Sequence, residues 1–134
     1  AIVAKTARQK IKKPNKKTLR NKADRLLQEY IRIKHKGETC YLCGVNPVSV
    51  GHHFIYKSQS LALRYVLDNI IPLCNNCHCL IHNQPSRQNA RICFKRGEQW
   101  FNELEEVRKA GAKFTKEWIE IKLQVLEILL EEIN

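Results

Sequence analysis

Apolar residues recur at helical spacing over several stretches of the chain and crowd into short runs between them. Leu19, Ala23, Leu26, Leu27, Tyr30 and Ile31 form one stripe with the period of an amphipathic helix. Thr18 is placed to cap this helix and Gly37 to end it, while Arg20, Lys22 and Arg25 lie largely off the stripe. From Thr39 to about Ser58 the pattern changes to two cysteines, Gly44, Pro47 and Gly51 with apolar residues between them, which reads as a knuckle followed by a β-hairpin. Ser60 to Tyr65 suits a helical turn, Ile70 to Leu73 a brief buried strand, and Asn75 to His82 a short helix. In the last third, Ile92, Trp100, Phe101, Leu104 and Val107 mark an amphipathic helix, broken or bent near Gly97 and stopped at Gly111. Thr115 can cap a final helix with Trp118, Ile121, Val125, Ile128 and Leu129 facing inward. The aromatic residues of these helices are read as core.

The class that results is α+β: a small two-strand and helix centre, with one helix before it and helices after it. Boundaries fall at 1–17 for a polar, Lys-rich arm, 18–36 for a basic helix, 37–96 for the centre and 97–134 for a C-terminal helical hairpin. A chain of 134 residues makes one small domain with appendages, and its core gains from a metal staple. No apolar run approaches the roughly 18 residues of a membrane span, and no signal-peptide pattern is visible. A cytoplasmic location is expected, and there cysteines serve more often as ligands or buried thiols than as disulfides.

Charge sharpens this picture. The net charge is +11, and residues 1–36, with thirteen Lys/Arg against Asp24 and Glu29, account for all of it. Such polarity suits an arm that binds a polyanion, although a solubilising tail would look the same. Lys10, Lys12, Lys13, Lys16, Lys17 and Arg20 are its candidate contacts. Lys57, Arg64, Arg87, Arg91 and Lys95 lie near the central motif and are candidate phosphate contacts, or ordinary solvated charge.

Two spacings carry chemistry. Cys40-x-x-Cys43 and Cys74-x-x-Cys77 are chelating pairs, and together they complete a tetrahedral, closed, structural zinc site. Cys79 and Cys93 are left over as packing residues. The second spacing involves histidine. His78 and His82 are four apart on a helix, so both project from one face. His52 and His53 are adjacent in an extended segment and point oppositely. One of them can therefore ligate a metal with His78 and His82 while the other stays free as a base. A metal with three protein ligands keeps open positions for phosphate and water. Surface or core histidines are the ordinary alternative, but four in two local pairs beside a zinc knuckle favour a site.

The run GHHFIYKSQSLALRYVLDNIIPLCNNCHCLIH resembles an HNH nuclease motif with embedded cysteine pairs. That resemblance implies a ββα-metal core. It implies His52 as a metal ligand, His53 as the general base, Asn69 as the central Asn bracing the base-bearing loop, and His78 and His82 as the remaining ligands. In that family, water activated by the base attacks phosphorus while the metal stabilises the leaving 3′ oxygen, giving 5′-phosphate and 3′-hydroxyl ends. More narrowly, LQEYIRIKHKGETCYLCG, GHHF, LALRYVLDNI, CNNC and QWFNELEEVRKAGAKFTKEWIEIKL are similar to the phage NinG/Rap recombination nucleases. Those act on branched intermediates such as Holliday junctions and D-loops. The histidine pairs look more like a general HNH site, which leaves the branched preference open.

The expectation is thus a metal-dependent DNA endonuclease, structure-selective on branched DNA. It would carry a structural Zn²⁺ and a catalytic Mg²⁺, Mn²⁺ or Zn²⁺, and would work in the bacterial host cytoplasm if phage-encoded. A homodimer would suit a substrate with two strands to cut. The alternatives are a non-catalytic zinc module that binds nucleic acid, which needs none of the histidines, and a ribosome- or RNA-associated basic protein.

Overall fold

A computed structural model describes residues 13–134. Helix α1 (Lys16–Lys34) is capped by Asn15, whose side chain accepts from the Thr18 backbone N–H at 2.9 Å. The cap therefore lies three residues before Thr18, the position the apolar stripe suggests, because the first helical turn extends beyond the first buried residue. Leu19, Ala23, Leu27, Tyr30 and Ile31 are buried along one face. The chain leaves the helix at His35 and turns at Gly37, where φ is 83°.

The knuckle follows. Thr39 bridges to Pro47, the Cys40 N–H donates to the Asn46 carbonyl at 2.8 Å, and the Gly44 N–H donates to the Cys40 carbonyl at 2.9 Å. Strand β1 (Val50–His53) then pairs antiparallel with β2 (Ile70–Leu73), with His52 opposite Ile71 and His53 opposite Ile70. The hairpin expected to close by Ser58 instead spans the whole segment to Leu73, and residues 54–58 turn away from the strand. Residues 61–65 form turns, and a 3₁₀ turn (Leu67–Asn69) leads into β2. All four β2 residues are buried because the sheet is covered on both faces. Ile71 and Leu73 join one apolar cluster and Ile70 joins another, as the two-residue period of a strand requires.

Helix α2 (Asn75–Asn83) starts at Cys74, and α3 (Pro85–Arg96) follows at once with Pro at its N-terminus, where a missing N–H costs nothing. Gly97, with φ of 95°, separates α3 from α4 (Glu98–Ala110), so of the break or bend read near Gly97 the chain makes a break. Gly111 ends α4. Thr115 caps α5 (Lys116–Ile133), its hydroxyl accepting from the Trp118 N–H at 3.0 Å.

Two apolar clusters result. One joins knuckle, hairpin, α2, α3 and α4 through Leu42, Leu63, Ile71, Leu73, Ile81, Ile92 and Leu104. The other joins α1 to α5 through Leu19, Leu27, Ile31, Ile119, Leu123 and Leu126. Helix α5 therefore packs along α1, rather than folding back on α4 as a C-terminal hairpin. That choice also corrects its inward face. Ile119, Leu123, Leu126 and Leu130 are buried, while Ile121, Val125 and Ile128 are about half exposed. Helix α5 carries two apolar stripes, and the partner helix selects one. Among the described residues, no helix is long and apolar enough to cross a membrane.

Candidate metal and phosphate site

The four knuckle sulfurs come together from two separate turns. Cys40 and Cys43 sit on the loop before β1, and Cys74 and Cys77 on the first turn of α2. All four sulfurs lie within 4.8 Å of one another, and Cys43 Sγ is 3.9 Å from Cys74 Sγ. A tetrahedral zinc with Zn–S bonds of about 2.3 Å would hold its sulfurs about 3.8 Å apart, so the set fits that ion. The backbone N–H groups of Asn46 and Val45 draw the Cys43 thiol down to about 6, which favours the thiolate that metals bind. At Cys74 burial works against ionisation, but the Cys77 N–H and neighbouring donors outweigh it and the thiol is lowered. These four cysteines could hold a structural metal ion such as zinc. Cys79 is exposed and Cys93 half-buried, and neither joins the cluster.

On the other side of β1 lies a cleft of about 430 Å³, lined by Gln28, Gly51, His52, His53, Tyr56, Lys57, Ser58, His78 and His82. Its lining brings both histidine pairs together. Helical spacing places His78 Nε2 and His82 Nε2 only 3.2 Å apart. The His52 ring centroid is 5.4 Å from that of His78 and 6.3 Å from that of His82. His52 is 2% exposed, and its Nε2 is buried without a hydrogen-bond partner. Burial is costly for such a group unless something satisfies it. Metal–nitrogen bonds of about 2.1 Å in a tetrahedral site imply N···N separations of about 3.4 Å, close to the His78–His82 spacing. His78 and His82 thus have the spacing of two ligands on one ion, while His52 stands near them by ring centroid only; among the described residues, the four cysteines alone bring three or more ligand atoms together. Burial first, then the neighbouring His78, pushes His52 down to about 4, so it is neutral near pH 7 and can be a ligand. Asn89, on α3, lies close enough to act on the His52 imidazole as a hydrogen-bonding neighbour, which favours the charged ring and works against burial. Its Oδ1 is likewise buried without a partner.

His53 points the other way. Its Nε2 donates to the Arg64 carbonyl at 2.9 Å. A carbonyl only accepts, so the proton sits on Nε2 and the neutral ring keeps a lone pair on Nδ1. Burial lowers His53 to about 4, against the opposing effect of that carbonyl. Asn69, fully buried, ties the intervening loop together. Its Oδ1 accepts from the Ile55 N–H at 2.8 Å, and its Nδ2 donates to the carbonyls of Ile55 and Leu63 at 3.0 and 3.2 Å.

Sequence alone does not reveal what fixes this loop to the rest of the molecule. Asp24 on α1 accepts both guanidinium N–H groups of Arg64 at 2.9 and 2.6 Å, and the Tyr65 hydroxyl at 2.8 Å. One turn further along α1, Gln28 pairs with both backbone polar groups of Gly51, each at 2.8 Å. Gly51 allows that approach, because a Cβ there would stand 2.6 Å from Ile70 Cγ2 and 3.1 Å from Ile31 Cγ1. Asp24 and Gln28, four apart on one helix face, thus position the loop behind His53 and the strand bearing His52. The available signal was a polar pair flanking the apolar stripe, but their partners lie 23 and 40 residues away in sequence.

The candidate phosphate contacts divide. Lys57 is exposed and lines the cleft. Arg64 is held by Asp24 and serves inside the fold. Arg91 is exposed and donates to Gln88 at 2.8 Å and to the Leu42 carbonyl at 3.4 Å. Lys16 donates to the Phe114 carbonyl at 3.2 Å, and both Lys16 and Arg20 stack over the Phe114 ring. Lys13 and Lys17 are exposed, and Lys10 and Lys12 lie outside the described residues.

Neither the curated proteins nor the solved structures contain a significant match to this chain. A family comparison does: the model of the Bacteriophage Lambda NinG protein family matches residues 3–131, nearly the whole length. The knuckle, the histidine cleft and the helix that braces it all fall inside that match, and the chain belongs to the Bacteriophage Lambda NinG protein family.

Proposed function

We propose that the protein is a metal-dependent DNA endonuclease of the HNH type, with a ββα-metal core, that acts on branched recombination intermediates. The observation that carries the reading is the cleft whose wall holds all four histidines, with buried, neutral His52 near His78 and His82 and with His53 turned to the Arg64 carbonyl, its Nδ1 lone pair left for a proton. A zinc-stapled binding module needs none of these four side chains. Membership of the NinG family supports a role in phage recombination, whose intermediates are branched DNA.

In this reading His52, His78 and His82 would hold a divalent ion, which when bound stabilises negative charge developing on the leaving oxygen. His53 Nδ1 takes the proton from the attacking water, and the Arg64 carbonyl fixes its tautomer. A base near 4 is weak. A phosphodiester bound next to it adds negative charge that favours the protonated ring and moves the value towards neutrality. Lys57 on the cleft wall can meet a non-bridging phosphate oxygen. Asn69 keeps the loop from Ile55 to Leu63 rigid, so the base does not drift from the metal side of the cleft.

The test is a cleavage assay on linear, single-stranded, flapped and four-way DNA, with added divalent metal or with chelator. Metal-dependent cuts bearing 5′-phosphate ends, most frequent on the branched forms, are expected. Tight binding with no cleavage under any metal would favour the zinc-stapled binding module instead.

A further inference from the structure

Phe94 is 91% exposed, the most exposed large apolar side chain among the described residues. It sits on α3, whose sequence PSRQNARICFKR holds four cations and no acid. Arg87, Arg91 and Phe94 follow one another at helical spacing and lie on one solvent-facing strip, with Lys95 at its flank. Two of these cations are anchored. Arg91 and Lys95 donate to the Leu42 and Tyr41 carbonyls, which ties their side chains to the cysteine knuckle. The inner face of the same helix carries Asn89, which neighbours His52. At about 100° per residue, Asn89 and Phe94 point to largely opposite sides of α3.

We propose that this strip is a second DNA-binding surface, on which Phe94 stacks against an unpaired base while Arg87 and Arg91 hold the adjoining phosphates. The proposal rests on the nuclease reading and deepens it by naming what selects the branched substrate. Isolated exposed apolar residues are common, and Phe94 alone would mean little. What identifies the occupant is charge: a helix whose charged side chains are all cations presents an exposed aromatic ring, a combination suited to a polyanion. Exposed aromatic rings in cationic settings bind bases by their faces without regard to sequence. A continuous duplex buries those faces in its stack. A branch point, with splayed and partly unstacked nucleotides, offers one. Asn89 faces His52 from the other side of α3, so the strip and the His52 side of the molecule lie on different faces of that helix. The two surfaces would then grip different strands at one branch.

The experiment uses the full chain, zinc-loaded and carrying His53→Ala so that DNA is bound without being cut. Affinity is measured for a four-way junction and for linear duplex of the same sequence, with Phe94 intact and as Phe94→Ala and Phe94→Trp. A 2-aminopurine at the crossover reports stacking. Phe94→Ala should weaken junction binding about tenfold, the scale of one lost base–aromatic stack. It should leave duplex affinity unchanged and abolish the 2-aminopurine quenching, and Phe94→Trp should restore both. Arg87→Ala should lower the salt dependence on both DNAs, by about 0.9 in the log–log slope for one phosphate contact. Unchanged junction affinity in Phe94→Ala overturns the proposal while leaving the nuclease reading intact. A change of oligomeric state on Phe94→Ala also overturns it, because the strip would then be a protein interface. Failure of the parent protein to bind either DNA would overturn the nuclease reading itself.

Discussion

His52 and His53 are neighbours with opposite surroundings, and the difference comes from the strand that carries them. One ring turns inward to the imidazoles of α2, and the other turns out to the Arg64 carbonyl. If His78 and His82 complete a metal site with His52, then His78→Ala and His82→Ala should each weaken binding of a second, labile metal ion. Activity should be partly recovered at raised metal concentration. Elemental analysis should still find one tightly held zinc per chain; loss of that zinc in either variant would mean the two sites are not separate. Gln28 offers a different check. Gln28→Ala removes both hydrogen bonds to Gly51 and opens one wall of the cleft, while all four histidines stay in place. Turnover should fall while substrate affinity stays close to the parent value, and Gln28→Glu should rescue only in part, because a carboxylate can accept from the Gly51 N–H but cannot donate to its carbonyl. Equal losses in affinity and turnover would assign Gln28 to DNA binding instead.

At the scale of elements, the short-range spacings were legible and the long-range partners were not. Two cysteines three apart or two histidines four apart converge by local geometry alone, so Cys40–Cys43, Cys74–Cys77 and His78–His82 stand together as their spacing requires. The Asp24–Arg64 and Gln28–Gly51 contacts depend on where α1 docks, which no local pattern states. Helix α5 shows the same limit from the apolar side. Both of its stripes are aliphatic, and the contact with α1 decides that Ile119 goes in and Ile121 stays out. The tight docking of α1 on β1 makes Gly51→Ala informative. The added methyl meets Ile70 and Ile31, and overpacking of this kind costs about 1–3 kcal/mol. The melting temperature should drop and cleavage should drop with it; a variant as stable and active as the parent would deny that this approach is tight. Cys77→Ser addresses the knuckle. Removing one thiolate from a closed site takes away folding energy directly, so loss of zinc and of the cooperative unfolding transition should come together in calorimetry.

The whole molecule combines a cationic N-terminal quarter, residues 1–36, with a body that sums to zero charge. The helix starts at Lys16 behind its Asn15 cap, so an informative truncation stops before the cap. Deleting residues 1–13 removes Lys5, Arg8, Lys10, Lys12 and Lys13 and leaves α1 whole. Affinity should fall alike for all DNA sequences, and the salt slope should flatten by up to about 0.9 for each lysine or arginine that neutralises a phosphate. Turnover at saturating DNA should survive. An unchanged slope would reduce the segment to a solubilising tail.

Whether the histidine cleft cuts DNA is decided by His53→Ala under single-turnover conditions on a four-way junction with divalent metal present. The variant should fold, keep its zinc and bind the junction with nearly parental affinity, because a base acts on the transition state more than on the bound substrate. Its cleavage rate should fall by about a hundred- to ten-thousand-fold. Cleavage at the parental rate, in a variant that still binds, would contradict the assignment of His53 as the base and with it the catalytic reading of the cleft.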